Sequence, residues 1–208
     1  MVPRGNIMTM ETIRGKRAFV VGISAVSGGG KTAVAKKLSE LLPDSFYLCF
    51  DDYDDTSIHP ENLQKWFADG ADYNAWETPV LISDLEQLVT GRHVESPVKY
   101  VVFDAPLGRA HFATGRFIDF MVFIDTPLDI AMARRLLRDL AGRGEQGPED
   151  TMTTIKAGVS SYLNGGRPLY LAFGERIRGQ CDLVLDGFLK VEELASAIRA
   201  RILPQLGE

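Results

Sequence analysis

The segment "AVSGGGKT", residues 25–32, lies between the apolar run "AFVVGIS" (residues 18–24) and the helical pattern "AVAKKLSELL" (residues 33–42). It matches the phosphate-binding pattern G-x-x-x-x-G-K-[ST] except at its first position, where Ala25 replaces glycine. A glycine-rich turn between a buried strand and a helix points backbone N–H groups at phosphate oxygens, and the helix N-terminus adds positive potential. This setting favours a phosphate-binding loop over the alternative, an ordinary glycine-rich connection.

The loop and the first helical turn contain the residues that this pattern assigns to nucleotide binding. Lys31 is expected to reach the β- and γ-phosphates, and the Thr32 hydroxyl is expected to bind Mg²⁺. We therefore predict that the protein uses ATP and Mg²⁺. The predicted nucleotide-binding residues of the segment are Ser27, Gly28, Gly29, Gly30, Lys31 and Thr32.

Short apolar runs alternate with amphipathic helical patterns along the chain, which favours a three-layer α/β/α fold with a five-stranded parallel sheet. Continuous hydrophobicity, as in "FMVFID" at residues 120–125, is typical of strands buried on both faces. The predicted strands are 18–24, 46–50, 100–104, 120–125 and 183–185. The predicted helices are 31–42, 80–90, 150–164, 191–203 and one from Thr126 toward Arg143.

Composition limits both the size of the fold and the class of partner. The 208 residues suit a single domain over residues 13–208 with a lid around 134–150, after a tag remnant or flexible N-terminus at 1–12. A net charge of −5 gives no broad attraction to nucleic acid or anionic membranes, so we expect neither as a partner. Cys49 and Cys181 lie far apart in apolar runs, which favours buried thiols and a cytoplasmic location. A small molecule is the expected partner, and the oligomeric state, a homo-oligomer included, stays open.

Aspartates end two of the predicted strands, at the sheet edge where α/β folds bind ligands. Asp51 and Asp52 follow the second strand, where a carboxylate can take the proton of an attacking hydroxyl or bind the water shell of a metal. Asp104 ends the third strand, where an acid can help to hold Mg²⁺. The alternatives are a solvated acidic loop for Asp51 and a turn-capping role for Asp104. The predicted metal ligands are Thr32, Asp51 and Asp104.

The helix after the fourth strand carries a cluster of arginines. Its predicted start has Thr126 as the N-cap, Pro127 at the first helical position and Asp129 in the first turn. Arginines on a mobile segment can stabilise the charge of a phosphoryl group in transfer and exclude water. The alternative is the general preference for basic residues late in a helix. The cluster consists of Arg134, Arg135, Arg138 and Arg143, of which Arg134, Arg138 and Arg143 are predicted to bind the nucleotide.

Aromatic residues between the second and third strands are candidate contacts for the second substrate. The alternative is that large aromatic side chains, Trp66 among them, fill the core. The predicted substrate residues are Asp51, Asp52, Tyr53, Tyr73 and Trp76. Structural roles are predicted for the histidines, which lack metal-ligand spacing: His59, His93 and His111.

These landmarks resemble, in collinear order over most of the chain, the uridine kinase and phosphoribulokinase-like branch of the P-loop small-molecule kinases. Residues 20–42 are similar to that family's opening strand, loop and helix, and "FDDYDD" (50–55) resembles its strand-ending aspartate followed by an aromatic. The segment "VFIDTPLDIAMARRLLRDLAGRG" (122–144) resembles its fourth strand and arginine-rich lid. "GGRPLY" (165–170) and "CDLVLDG" (181–187) resemble its proline-bearing helix and its last strand near the adenine.

The resemblance implies an ATP-dependent kinase and a role for each matching residue. Asp51 would be the base that deprotonates the acceptor hydroxyl. Lys31 and Thr32 would be phosphate and Mg²⁺ ligands, and Asp104 would be a further acid on the metal side. Arg138 and Arg143 would be lid cations. The predicted catalytic residues are Asp51, Lys31 and Arg138.

Three features depart from the family's pattern. Ala25 adds only a methyl group to the loop, so we expect ATP binding to survive. Asp104 and Ala105 stand where the family usually has glutamate and glycine, which shortens the reach of the carboxylate. Residues 91–104 run almost directly from a helix to the third strand, without the hairpin that contacts the nucleoside in uridine kinases. Uridine is therefore not implied as the substrate.

The sequence thus predicts transfer of the ATP γ-phosphoryl to a hydroxyl of a small molecule: a nucleoside, a sugar or sugar acid, a vitamin-like alcohol or an antibiotic. A nucleotide kinase is disfavoured, because Lys65 and Arg92 are almost the only basic residues between Asp51 and Pro97. The other alternative is a nucleotide-binding regulatory protein without an acceptor. It would leave the strand-ending aspartates and the arginines unexplained.

Overall fold

The computed structural model describes residues 17–92, 98–141 and 148–206. Its strands form one parallel sheet in the order β2-β3-β1-β4-β5. The strands are β1 (Phe19–Ser24), β2 (Ser45–Cys49), β3 (Tyr100–Asp104), β4 (Phe120–Asp125) and β5 (Leu183–Asp186). The predicted five-stranded parallel sheet is confirmed.

Helices cover both faces of this sheet. They are α1 (Lys31–Leu41), α2 (Leu63–Ala68), α3 (Pro79–Thr90), α4 (Phe112–Gly115), α5 (Leu128–Ala141), α6 (Pro148–Ser161), α7 (Arg167–Arg178) and α8 (Val191–Ile202). One core cluster joins the sheet to α1 and α8, and the other joins it to α3 and α7. The three-layer α/β/α architecture is therefore confirmed.

The continuous hydrophobicity of the central strands follows from burial on both faces. Successive side chains of a strand point to opposite faces, so Val20 packs in the cluster with α3 and Val21 in the cluster with α1, both with no exposed surface. β5 lies at the sheet edge, where Val184 is 42% exposed. The strand burial thus explains why the central strands have no polar alternation.

The strand order brings the carboxyl ends of β1, β2 and β3 together. In the parallel register Asp104 lies opposite Ile23 on one side and opposite Cys49 on the other. The loop after β1 therefore begins beside Asp104, and the residues after β2 follow on its far side. This is the sheet edge at which ligands bind in open α/β folds.

The observed elements differ from the predicted ones at several boundaries, and the list of predicted helices lacks α2, α4 and α7, of which α7 is implied only by the resemblance of residues 165–170. Phe50 does not end β2 but begins a 3₁₀-helix over residues 50–56. The predicted N-cap at Thr126 is wrong, because α5 begins at Leu128 and the Thr126 hydroxyl donates to the carbonyl of Gly29. The helix predicted over 150–164 is α6, which begins at Pro148 and passes at Tyr162 into a π-helical turn.

Several predictions fall on residues that the structure does not describe. These are the N-terminal segment 1–12, His93 and Arg143. In the described parts of the chain, every helix is too short or too polar to cross a membrane.

Candidate active site

The glycine-rich loop, residues 25–30, joins β1 to α1 and is shaped by backbone geometry that favours glycine. Gly28 and Gly30 have φ angles of 83° and 96°, in the left-handed region. A Cβ at Gly28 would overlap the Ala131 carbonyl oxygen of α5. The Gly29 N–H donates to the Val26 carbonyl at 2.7 Å and closes a turn inside the loop. Gly29 therefore contributes to loop shape, whereas Gly28 and Gly30 line a cavity.

Lys31 lies between two carboxylates. Its Nζ is 3.2 Å from Asp51 Oδ2 and 3.2 Å from Asp104 Oδ1. Burial alone would lower the pKa of Lys31, but Asp104 and Asp51 outweigh it and raise this pKa above 10.5. The ammonium therefore stays protonated at neutral pH.

Asp104 is fully buried and contacts three polar side chains. Its Oδ2 accepts a hydrogen bond from the Thr32 hydroxyl at 2.6 Å and lies 3.8 Å from Cys49 Sγ. Burial raises the pKa of Asp104 above 3.8, although Lys31 and Thr32 stabilise its ionised form. Burial also raises the pKa of the Cys49 thiol, which favours its protonated form.

The second oxygen of Asp104 is buried and is paired by charge alone. Oδ1 is within ion-pair distance of Lys31 Nζ but accepts no hydrogen bond. A buried carboxylate oxygen without a hydrogen bond is costly. Over the described ranges, no group of three or more His, Cys, Asp or Glu side chains could hold a metal by itself. One carboxylate and one hydroxyl suit Mg²⁺, which keeps several waters and takes its other ligands from phosphates.

The cavity at the loop has a volume of about 710 Å³. Two predicted lid arginines, Arg134 and Arg138, line it from α5. Three residues of α7 line it as well, and sequence reasoning did not single them out: Leu169, Tyr170 and Phe173. The lining on the sheet side includes Ser27, Gly28, Gly30, Lys31, Thr32, Cys49 and Asp51.

Helices α5 and α7 are joined across the cavity. Arg135 donates to the Tyr170 hydroxyl, and the Tyr170 ring stacks on Tyr162 with centroids 6.1 Å apart. Arg138 is exposed and forms an ion pair with Asp139 at 3.1 Å. The arginine helix is therefore held against α7 by Arg135, while Arg138 is exposed and paired only with its chain neighbour Asp139 among the described contacts.

Of the predicted substrate residues, Asp51 and Asp52 lie at or beside the cavity, whereas the three aromatic residues pack against other parts of the protein. Asp51 lines the cavity, and Asp52 lies exposed beside it on the 3₁₀-helix. The Tyr53 hydroxyl donates to Asp84 of α3 at 2.7 Å. Tyr73 is only 3% exposed and its ring lies 6.3 Å from Phe173, so it belongs to the core.

Trp76 lies in an aromatic cluster rather than in the cavity lining. Its ring meets Trp66 edge-on at 4.9 Å, and Trp66 meets Tyr73 at 5.3 Å. The substrate roles of Tyr73 and Trp76 stay predictions. Their placement agrees with the alternative that the large aromatics of this segment fill the core.

His111 joins this cluster to α4. Its Nε2 lies 2.9 Å from the Trp76 carbonyl oxygen, which can only accept, so Nε2 carries the proton. Nδ1 then accepts from the Thr114 hydroxyl at 2.8 Å. Burial lowers the pKa of His111 below 6.5. These contacts agree with a structural role for this histidine.

Comparisons with known proteins agree with this geometry. No protein-family model matches the chain. The uridine kinase of Borreliella burgdorferi strain ZS7 is 30% identical over 194 residues, which cover 81% of this chain and 86% of that protein. The uridine kinase of Shewanella pealeana is 28% identical over 211 residues, covering 90% and 96%. The structure of a putative fructose transport system kinase from Silicibacter sp. TM1040 aligns at a TM-score of 0.51 and 13% identity, over 83% of this chain and 91% of that one.

The parallel sheet and the glycine-rich loop after β1 define the class: this is a P-loop NTPase fold of the kinase type. At 30% identity over most of both chains, the protein belongs to the uridine kinase family. It is a phosphotransferase with a hydroxyl group as acceptor.

Proposed function

We propose that this protein transfers the γ-phosphoryl group of ATP, with Mg²⁺, to a hydroxyl of a small molecule. The observation that carries the proposal is the position of Lys31 between Asp51 and Asp104 at the mouth of the P-loop. Phosphoryl transfer needs positioning and charge stabilisation more than covalent chemistry. The protonated lysine, one exposed carboxylate and one buried carboxylate lie together and can supply both the positioning and the charge stabilisation.

Asp51 is the proposed general base. Its side chain is 58% exposed and lines the cavity, so an acceptor hydroxyl can reach it. Asp104 is buried and bonded to Thr32, which prevents it from meeting an acceptor. Asp52 does not line the cavity, which favours Asp51 of the two neighbours.

Thr32 and Asp104 are the proposed protein ligands on the metal side. The Thr32 hydroxyl and the unbonded Oδ1 of Asp104 are oxygen donors of the kind that Mg²⁺ prefers. When bound, the metal would neutralise charge on the phosphates. Lys31 adds a fixed positive charge beside them, and Arg134 and Arg138 face the same space from α5. Arg138 is the proposed catalytic cation of the lid.

The proposed acceptor is an alcohol, and the name of the family does not identify its class. Only residues 91–99 join α3 to β3, too few for the nucleoside-contacting hairpin of uridine kinases together with its connections. The acceptor panel therefore includes nucleosides, sugars, sugar acids, vitamin-like alcohols and antibiotics.

The test follows ADP release from Mg²⁺ and ATP over this panel. For the acceptor found, Asp51→Asn is expected to lower kcat by about 100-fold or more, because a positioned base contributes that much. ATP affinity, measured by calorimetry, is expected to stay near that of the wild type. Asp55→Asn is the matched control, an exposed aspartate of the same 3₁₀-helix outside the cavity lining. Full turnover by Asp51→Asn, or ATP binding without any acceptor, would contradict the proposal.

A further inference from the structure

Thr126, directly after β4, contacts the P-loop from outside the motif. It is 4% exposed, and its hydroxyl donates to the Gly29 carbonyl oxygen at 2.9 Å. The Gly29 N–H is already used by the Val26 carbonyl. Both polar groups of Gly29 therefore have partners, one inside the loop and one on the neighbouring strand.

The bond to Thr126 determines the direction of the next N–H group. The carbonyl of Gly29 and the N–H of Gly30 belong to one peptide group, which is trans because the described chain contains no cis peptide bond. In a trans peptide these two groups point in opposite directions. With the oxygen held on Thr126, the Gly30 N–H points away from that strand, and Gly30 lines the cavity.

This peptide group joins two glycines, which tolerate a wider range of backbone angles than other residues. A Cβ at Gly30 would meet no atom within 4 Å outside its chain neighbours and its own helix, whereas a Cβ at Gly29 would overlap Ala25 and Val26. A rotated peptide would turn a carbonyl oxygen toward the phosphates, which repels an anion. The hydrogen bond from the Thr126 hydroxyl opposes this rotation because it holds the Gly29 carbonyl oxygen.

The position of Thr126 is itself fixed by close packing. A Cβ at Gly187, which follows β5, would overlap the Thr126 hydroxyl oxygen. The Gly187 N–H donates to the carbonyl of Asp125 at 3.1 Å, which holds the two chain segments together. The hydroxyl is thus confined between Gly187 and the P-loop.

We infer that Thr126 is a positioning residue for phosphate binding: its hydroxyl fixes the Gly29–Gly30 peptide so that the Gly30 N–H is directed into the nucleotide cavity. This inference rests on the proposed binding of ATP at the P-loop. It adds to that site a positioning hydroxyl from outside the P-loop motif.

The experiment measures ATP affinity by calorimetry and the free energy of unfolding by urea titration, for Thr126→Val, Thr126→Ala and Thr126→Ser. We expect the first two variants to raise the Kd for ATP by about 5- to 10-fold, the value of one lost hydrogen bond. Thr126→Ser keeps the hydroxyl and is expected to restore wild-type affinity. The affinity of Thr126→Val and Thr126→Ala for tripolyphosphate, which lacks base and sugar, is expected to fall by the same factor relative to the wild type.

Thr114→Val is the matched control, since Thr114 is equally buried but bonds to His111. Its stability is expected to fall while its affinity for ATP is unchanged. Wild-type affinity in both Thr126→Val and Thr126→Ala, or an equal loss in Thr126→Ser or Thr114→Val, would overturn the inference alone. A wild-type protein that does not bind ATP would overturn the proposed function and this inference together. If Thr126→Val does not fold, Thr126→Ala and Thr126→Ser decide.

Discussion

Charge compensation around Lys31 shows how single residues define this site. Asp104 has no exposed surface, and a buried carboxylate is costly unless paired. Lys31 and Thr32 offset part of that cost, yet Oδ1 of Asp104 still lacks a hydrogen bond. Oδ1 of Asp104 is therefore balanced by the charge of Lys31 and not by a hydrogen bond.

The buried imidazole of His111 links stability to pH. Its pKa in the folded protein lies below the ordinary 6.5, so protonation favours the unfolded chain. Above pH 6.5 we expect the contribution of His111 to the free energy of unfolding to be fully present. Below pH 6.5 this contribution should fall, by about 1.4 kcal/mol per pH unit at most, until the folded-state pKa is reached.

Urea titrations between pH 7.5 and about 4.5 would measure this dependence. In His111→Gln the stability should be lower at pH 7.5 and the acid-dependent part below pH 6.5 should be smaller. His59→Gln, an exposed histidine, is the control and should keep the wild-type pH profile. If the free energy of unfolding of His111→Gln fell with pH below 6.5 as steeply as that of the wild type, His111 would not be the group responsible.

At the scale of elements, α5 divides into a fixed and a free part. Near its start it packs on the P-loop, where Ala131 is buried against Gly28. One turn later Arg135 holds Tyr170 of α7, and beyond it Arg138 is 65% exposed on its side chain. A helix attached in this way can present Arg138 to a phosphoryl group without moving as a whole.

Arg138→Met should therefore lower kcat with little effect on folding. We expect a loss of about 100-fold, the size typical of a lost charge-stabilising donor, and a thermal midpoint near that of the wild type. Arg199→Met on α8 is the control, because that residue is exposed and does not line the cavity. Wild-type kcat in Arg138→Met would show that this arginine is not the catalytic cation.

The long elements were predictable because one physical signal dominates each of them. β1, β3 and β4 are apolar throughout since both faces are buried, and α1 and α3 end within a residue or so of their predicted ends at Pro43 and Gly91. α2 was missed: it has six residues, none of them buried, and only Asn62 as a cap. Short elements held by tertiary contacts leave little periodic pattern.

The site was predictable where a motif fixes residue and spacing together. Lys31, Thr32, Asp51 and Asp104 come together as expected because strand ends meet at one edge of the sheet. The lining from α7 was not singled out residue by residue, because the resemblance of residues 165–170 implied a helix but not which of its side chains face the cavity. Thr126 was predicted to cap α5, but its hydroxyl bonds to Gly29 of the P-loop. The sequence does not distinguish these two roles, because a threonine suits both.

Taken as a whole, the chain is acidic from the end of β2 to the end of α3, the segment that contains the proposed general base Asp51. Between residues 50 and 92 the basic residues are Lys65 and Arg92, besides His59. Lys65 is paired with Asp69. Arg92 follows α3, whose last turn bonds through Val89 to Ala18 at the amino end of the sheet, away from Asp51. An acceptor that already carries a phosphate would meet the exposed carboxylates of Asp52 and Asp54 on the 3₁₀-helix beside Asp51.

For the alcohol that the acceptor panel identifies, a derivative that carries a phosphate on a different hydroxyl, and so keeps the acceptor hydroxyl, should therefore be a poor substrate. Like charges placed together cost enough to lower kcat/KM by about 10-fold or more. Higher salt should narrow the difference because exposed charges are screened. The double variant Asp52→Asn with Asp54→Asn should also narrow the difference in kcat/KM between the two acceptors. The control double variant Glu192→Gln with Glu193→Gln on α8 should leave that difference unchanged. Equal kcat/KM for both acceptors in the wild type would show that charge does not select the acceptor.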